Sequence, residues 1–232
     1  MEILKTKIKP SRLKLFFYFT ILLLFSFSTT SYTQEKFKFG VKGGIGFWRI
    51  ISLQKSLNIS QPIIYSYPMG FTLGFYSEKK LSEHLFIAGE LLFQNSLEMV
   101  TIYTGYEGIL EQKITSKYLT IPIIIKLKTP LLWDVYFFLG PSFSYLINAS
   151  YHFYDQIYHD GGNGNITKDL PSISFAVESG FGKEIEILKS NFTLELRAQL
   201  GLTRFQYYDI SYNPPIGNWR NAGLMFLVGY EF

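Results

Sequence analysis

The sequence predicts an all-β fold: an eight-stranded antiparallel up-and-down transmembrane β-barrel with short periplasmic turns and long extracellular loops. Three observations predict it. Segment after segment alternates apolar and polar side chains, a leader of the export type precedes them, and the connections between segments are alternately long and short. The alternation is cleanest in Asn191–Thr203. There Phe192, Leu194, Leu196, Ala198, Leu200 and Leu202 share one parity, and Thr193, Glu195, Arg197, Gln199 and Thr203 share the other. A strand sends the two sets to opposite faces. A helix scatters Glu195 and Arg197 among the leucines and leaves no apolar stripe.

The leader comes first in the chain. Lys5, Lys7, Lys9, Arg12 and Lys14 precede the uncharged apolar run Leu15–Phe27, and small or polar residues follow in Ser28–Thr33. This is the layout of a secretory signal, and the run is short for a spanning helix. Residues 1–33 are therefore expected to be a cleaved signal peptide, cut after Ser31 or after Thr33, with residues 34–232 forming the barrel domain. Those basic residues, set against Glu2, account for the whole chain's formal net charge of +4. The remainder is near neutral, so the basic balance gives no reason to expect a nucleic-acid partner. The chain has no cysteine, which excludes a lipid-anchored lipoprotein, a disulfide scaffold and any thiolate site.

Eight strand patterns follow. Phe37–Phe47 sets Phe37, Phe39, Val41, Ile45 and Phe47 against Lys38, Lys42 and glycines. Met69–Ser77 sets Met69, Phe71, Leu73 and Phe75 against Gly70, Thr72, Gly74 and Tyr76. Leu85–Gln94 sets Leu85, Ile87, Leu91 and Phe93 against Ala88, Glu90 and Gln94. Tyr118–Lys128 carries five aliphatic residues from Leu119 to Leu127 on one parity, with Lys126 on the other. Pro122 cannot donate to a ladder, so a bulge or a missing hydrogen bond is expected there. Val135–Ile147 and Ser172–Gly182 repeat the pattern, the latter with Glu178 on its polar face; Asn191–Thr203 and the closing Asn221–Phe232 complete it.

The long connections are residues 48–68, 95–117, 148–171 and 204–220; the short ones are 78–84, 129–134 and 183–190. An even strand number with this asymmetry is the outer-membrane pattern. A content of 17 Tyr and 22 Phe suits membrane interfaces. In lipid only helices or edge-free sheets satisfy the backbone, and no segment after the leader is long and apolar enough for a spanning helix. The apolar parity is therefore expected to face lipid. Trp48, Trp219, Tyr65 and Tyr67 at the outer strand ends, and Trp133 and Tyr136 near a turn, read as girdle residues.

The polar parity brings Lys38, Lys42, Glu90, Lys126, Glu178, Glu195 and Arg197 into a lumen that side chains alone can fill. Unpaired buried charges cost several kcal/mol, so an ion-pair network that plugs the barrel is expected. A second candidate cluster, His152, Asp155, His159 and Asp160, lies in the third long loop, but its spacing fits no metal motif. Gly-x-Ser-x-Gly, His-Glu-x-x-His and Walker patterns are absent, and the Gly40–Gly46 run has no helix after it. The expectation is a protein without catalytic residues or cofactor, embedded in outer-membrane lipid.

Two other readings remain open at this stage. One is a membrane-embedded enzyme at the loop face, using His152, Asp155, His159 and Asp209. The other is a soluble periplasmic binder with an apolar cavity, which would need the inverse pattern.

The strand Tyr118–Lys128 carries Tyr118, Leu119, Ile121, Pro122 and Lys126 in the order Tyr-Leu-x-Ile-Pro-x-x-x-Lys. With Phe37–Phe47 before it, Gly140, Pro141, Ser144, Tyr145 and Leu146 after it, and the Gly-rich aromatic end Gly223–Phe232, the chain resembles the PorT-like outer-membrane β-barrel family. The resemblance covers about Phe37–Phe232. It implies an eight-stranded outer-membrane barrel, no shared catalytic residues, and for some relatives association with a secretion or envelope complex. The last strand, ending at Phe232, is the expected handle for the barrel-assembly machinery.

Overall fold

The structure, a computed structural model, describes residues 37–52, 63–66, 69–104, 108–129, 135–155, 160–206 and 218–232. The expected signal peptide lies outside these residues, as do Tyr67, Trp133, His159, Asp209 and the side chains of Tyr65, Asp155, Asp160 and Trp219.

The strands are β1 (Lys38–Ser52), β2 (Ile63–Ser66), β3 (Met69–Lys80), β4 (Leu85–Thr104), β5 (Gly108–Lys128), β6 (Val135–Asp155), β7 (Asp160–Asn165), β8 (Ile173–Ile187), β9 (Ser190–Gly201), β10 (Phe205–Gln206) and β11 (Asn218–Glu231). Eight of them, β1, β3, β4, β5, β6, β8, β9 and β11, pair in sequence, all antiparallel. β1 then pairs with β11 from Gly40↔Glu231 to Ser52↔Trp219. The sheet is closed, and a closed sheet leaves no edge for lipid to meet. The short strands β2, β7 and β10 add to β4, β6 and β11.

The start of β1 and the end of β11 lie at one end of the barrel, where the Phe232 amide donates to the Phe39 carbonyl at 3.1 Å. The tight turns share that end. The β8–β9 turn is Leu188 and Lys189, with φ of 51° and 66°, the primed geometry that matches the twist of a two-residue hairpin. At the opposite end two of the four expected long loops, 95–117 and 148–171, are largely strand. Residues 95–117 are almost wholly the ends of β4 and β5, joined through residues 105–107, and β6 continues to Asp155 with β7 beside it.

The apolar parity faces outward. Leu73, Phe75 and Leu139 are 60%, 63% and 59% exposed, while Lys42, Glu178, Glu195 and Arg197 are buried. That distribution is opposite to the one a soluble binder with an apolar cavity requires. At Pro122 the strand keeps its register, and the bridges Glu90–Pro122 and Leu91–Ile121 are missing from the β4–β5 ladder. The one register shift between β5 and β6 falls at Lys117/Tyr118. There β6 gains a residue, so Leu146 and then Ala149 point inward while Ile147 points out.

Two girdle assignments are corrected. Trp48 shares the parity of Lys42, points into the lumen and is 3% exposed. It sits where side chains are missing: a Cβ at Gly70 or Gly223 would come within 2.7 or 2.9 Å of its indole. Tyr136 shares the parity of Phe138 and is fully buried inside.

Candidate functional site

Successive inward positions on five strands place charges at one level of the lumen. β1 contributes Lys42, β4 Glu90, β5 Lys126, β8 Glu178, and β9 both Glu195 and Arg197. Glu195 and Arg197 are two residues apart, so a strand carries them on the same face.

Lys42 Nζ donates to Glu90 Oε1 at 2.7 Å and to Glu195 Oε1 at 2.8 Å. Neither β4 nor β9 is a neighbour of β1, so these bonds cross the bore. Arg197 Nη1 donates to Glu90 Oε2 at 2.7 Å and to Glu178 Oε2 at 2.8 Å. Its Nη2 donates to Glu195 Oε2 at 2.7 Å and Glu90 Oε1 at 3.0 Å. The planar guanidinium suits such forked contacts better than an ammonium would. Lys126 Nζ donates to Glu78 Oε2 at 2.7 Å and lies 3.7 Å from Glu195. Gln199 Nε2 donates to Glu178 Oε1 at 3.1 Å.

Aromatic rings pack on the cations. Lys42 Nζ is 5.0 Å from the Tyr76 ring, Lys126 Nζ 4.8 Å from Tyr136, and the Arg197 guanidinium 5.1 Å from Phe138. The electron-rich ring face complements the charge once water is excluded. Tyr136 also donates its hydroxyl to Glu195 Oε1 at 2.8 Å. On the outer side of this cluster Thr120 donates to Gln94 Oε1 at 2.9 Å and lies 2.9 Å from Ser144 Oγ. Met225, Leu227 and Trp48 form a buried apolar group.

Six of the seven residues singled out in the sequence thus meet in one cluster. Lys38 does not join it. It lies near the barrel rim, partly exposed, and pairs with Glu231 at 2.9 Å. Sequence reasoning missed Glu78 because it sat one residue beyond the predicted strand Met69–Ser77. Extending the parity of Thr72 and Tyr76 by two would have found it. Tyr136 was missed because its residue type and place near a turn suggested an interface.

The loop-face cluster is not assembled by the described residues. His152 lies on the outward face of β6, opposite Lys113 and Asn163. Among the described residues no group of three His, Asp or Glu side chains is placed to hold a metal ion. His84 is exposed in the β3–β4 turn.

The family model "Outer membrane protein beta-barrel domain" matches residues 26–206. Among solved structures the chain is similar to Ail, the attachment invasion locus protein of Yersinia pestis, at 11% identity, covering 86% of this chain and 100% of that chain with a TM-score of 0.41. It is similar to the outer membrane protein OprG from Pseudomonas aeruginosa at 12% identity, covering 86% and 97% with a TM-score of 0.43. It is also similar to the E. coli Outer Membrane Protein W at 15% identity, covering 86% and 100% with a TM-score of 0.38. No curated protein matches the chain.

Proposed function

The chain belongs to the outer membrane protein β-barrel domain family, and on that premise we propose that it is a sealed, non-conducting barrel with a structural or interaction role in the envelope. The barrel spans the bacterial outer membrane. The observation that carries the proposal is the charge cluster. Lys42 and Arg197 reach carboxylates on several strands across the bore, and an eight-stranded barrel has room only for such side-chain filling. Charges paired across the bore in this way are held by one another and are not free to relay an ion.

The rest of the reading follows from the same architecture. Residues 1–33 act as a cleaved export signal. The strand ending at Phe232 is the segment presented to the barrel-assembly machinery. The protein performs no catalysis. Its contact surface for a secretion or envelope complex, the role associated with some PorT-like proteins, is the set of strand tips of β4, β5 and β6 at the end opposite the tight turns, which face away from the membrane.

Planar bilayers test the seal. Purified protein is expected to insert without conductance steps above the bilayer leak. A steady open-pore conductance would refute it. Crosslinking in native membranes, followed by purification through the barrel, tests the interaction role; recovery of the barrel alone would argue against it.

A further inference from the structure

The outer face of β5, β6 and β7 changes character at one level. On β5 the outward residues run from Leu127 through Ile125, Ile123 and Ile121 to Leu119, and then become Lys117, Thr115 and Lys113. The apolar part spans about 27 Å of strand, or roughly 20 Å along the membrane normal at a ~40° tilt. That nearly exhausts the apolar band of about 25 Å in such barrels. Lys117 therefore stands at the edge of the hydrocarbon, and the next two rows stand among the outer headgroups.

The register aligns those rows across three strands. Thr115 pairs with Ser150 and Ser150 with Asn165; Lys113 pairs with His152 and His152 with Asn163. These six residues line a shallow cavity of about 660 Å³. β7 reads Asp-Gly-Gly-Asn-Gly-Asn, and the alternation has a structural reason. Gly162 and Gly164 lie under the rings of Phe153 and Tyr151, where a Cβ would come within 2.6 Å of either ring. Asn163 and Asn165 take the opposite, outward face. The base of the cavity is pinned by Asn148, whose Oδ1 accepts from Asn165 Nδ2 at 3.0 Å and from Thr167 Oγ1 at 2.9 Å. The next outward residue on β6 is Tyr154, 41% exposed.

Among the described side chains, the charged ones on these rows are Lys117 and Lys113, both basic; Glu111 pairs with Tyr154 one row further out. The ion pairs formed among the described residues lie in the lumen and at the turn end, and none uses Lys113 or Lys117. We propose that this face docks the phosphorylated saccharide headgroup of an outer-leaflet glycolipid. Lys117 and Lys113 meet the phosphate nearest the hydrocarbon. Ser150, His152, Asn163 and Asn165 hydrogen-bond the sugar hydroxyls, and Tyr154 offers a ring face beside them. A protein partner is the less suitable occupant of these rows, because they point sideways along the membrane plane, whereas the strand tips proposed above as a contact surface for a complex point away from it.

The test uses the full barrel in detergent with deep-rough lipopolysaccharide as probe. The same lipid with its phosphates removed, phosphatidylglycerol and inorganic phosphate are the comparison ligands. Affinity is read by native mass spectrometry, and folding of each variant by heat-dependent gel migration. Lysines at an anionic surface contribute roughly fivefold each, so K113A/K117A is expected to lose about 25-fold in affinity for the phosphorylated glycolipid. N163A/N165A should lose affinity for both glycolipid forms. Lys183→Ala, an exposed residue at the turn end, should change nothing. The proposal is overturned if the lysine pair is without effect or if removing the phosphates leaves binding intact. Phosphatidylglycerol binding with equal affinity, or millimolar inorganic phosphate displacing the lipid, overturns it as well.

Discussion

Two substitutions that make the same chemical change separate a structural charge cluster from a loose collection of polar fillers. In Glu195→Gln the lost charge faces Lys42 at 2.8 Å, Arg197 at 2.7 Å and Lys126 at 3.7 Å. In Glu178→Gln the lost charge faces Arg197 alone, at 2.8 Å. Within the cluster, Glu78, Glu90, Glu178 and Glu195 outnumber Lys42, Lys126 and Arg197 by one; Glu98, also buried in the lumen, takes no part in these ion pairs. Removing Glu178 balances the charges and relieves its repulsion of Glu90, and Arg197 keeps Glu90 and Glu195. Breaking a buried pair costs about 3–5 kcal/mol, and Glu195→Gln is expected in that range. Glu178→Gln is expected to cost less than about 1 kcal/mol, the loss and the relief offsetting each other. Reversible urea unfolding from lipid vesicles, followed by tryptophan fluorescence, measures both. Equal costs, or a larger cost at Glu178, would show that proximity to the cations does not set the energetics of the lumen.

The outer face predicts that Leu73→Arg, at an exposed site in the apolar band, costs about 2–4 kcal/mol in the same assay. Leu188→Arg, in the β8–β9 turn, should stay within about 0.5 kcal/mol of wild type; equal effects would contradict the assigned band. Gly223→Ala introduces a methyl group against Trp48 and should cost about 1–3 kcal/mol as overpacking. Trp48→Leu in the same chain should recover part of that loss, and no recovery would mean that the indole is not the obstacle. Amino-terminal sequencing of protein recovered from the outer membrane is expected to begin at Tyr32 or Gln34. A chain beginning at Met1 would rule out the cleaved leader.

What could be read from the sequence depended on where lipid makes the two faces of a strand different. Leu119–Leu127 and Phe192–Leu202 alternate because one side meets hydrocarbon and the other a polar interior, and the eight barrel strands were legible for that reason. Beyond the band polar and apolar residues mix on both faces, as in Asn95–Lys117, where Leu97, Met99, Val100 and Ile102 stand among Glu98, Thr101 and Thr104, and period-two contrast disappears although the backbone continues as β4 and β5. Strand there looks like loop. Trp48 and Tyr136 were misplaced because residue type was weighed above parity, and parity puts both inside. The pairs across the bore, such as Lys42 with Glu90 and Glu195, depend on closure and shear, which no local pattern encodes.

The cluster also bears on register. Outward leucines and phenylalanines meet the same lipid wherever they sit along the band, so a slip of two residues changes little outside. Inside, it moves Glu195 by about 7 Å, beyond ion-pair reach of Lys42. A slip of one residue sends Glu195 and Arg197 into hydrocarbon at about 2–4 kcal/mol for the arginine alone. Pairs joining β1, β4, β5, β8 and β9 can all be made only at one combination of slips. We therefore hypothesise that the charges select the register rather than maximise stability, since apolar residues of similar volume often replace a buried ion cluster without loss. A barrel carrying Lys42→Met, Glu90→Leu, Glu178→Leu, Glu195→Leu and Arg197→Met is expected to insert and resist urea, yet to show several amide resonances per residue in β1 and β9 by NMR. One resonance per residue in that variant would mean that turns and glycines set the register unaided, and that the lumen charges are there for another reason.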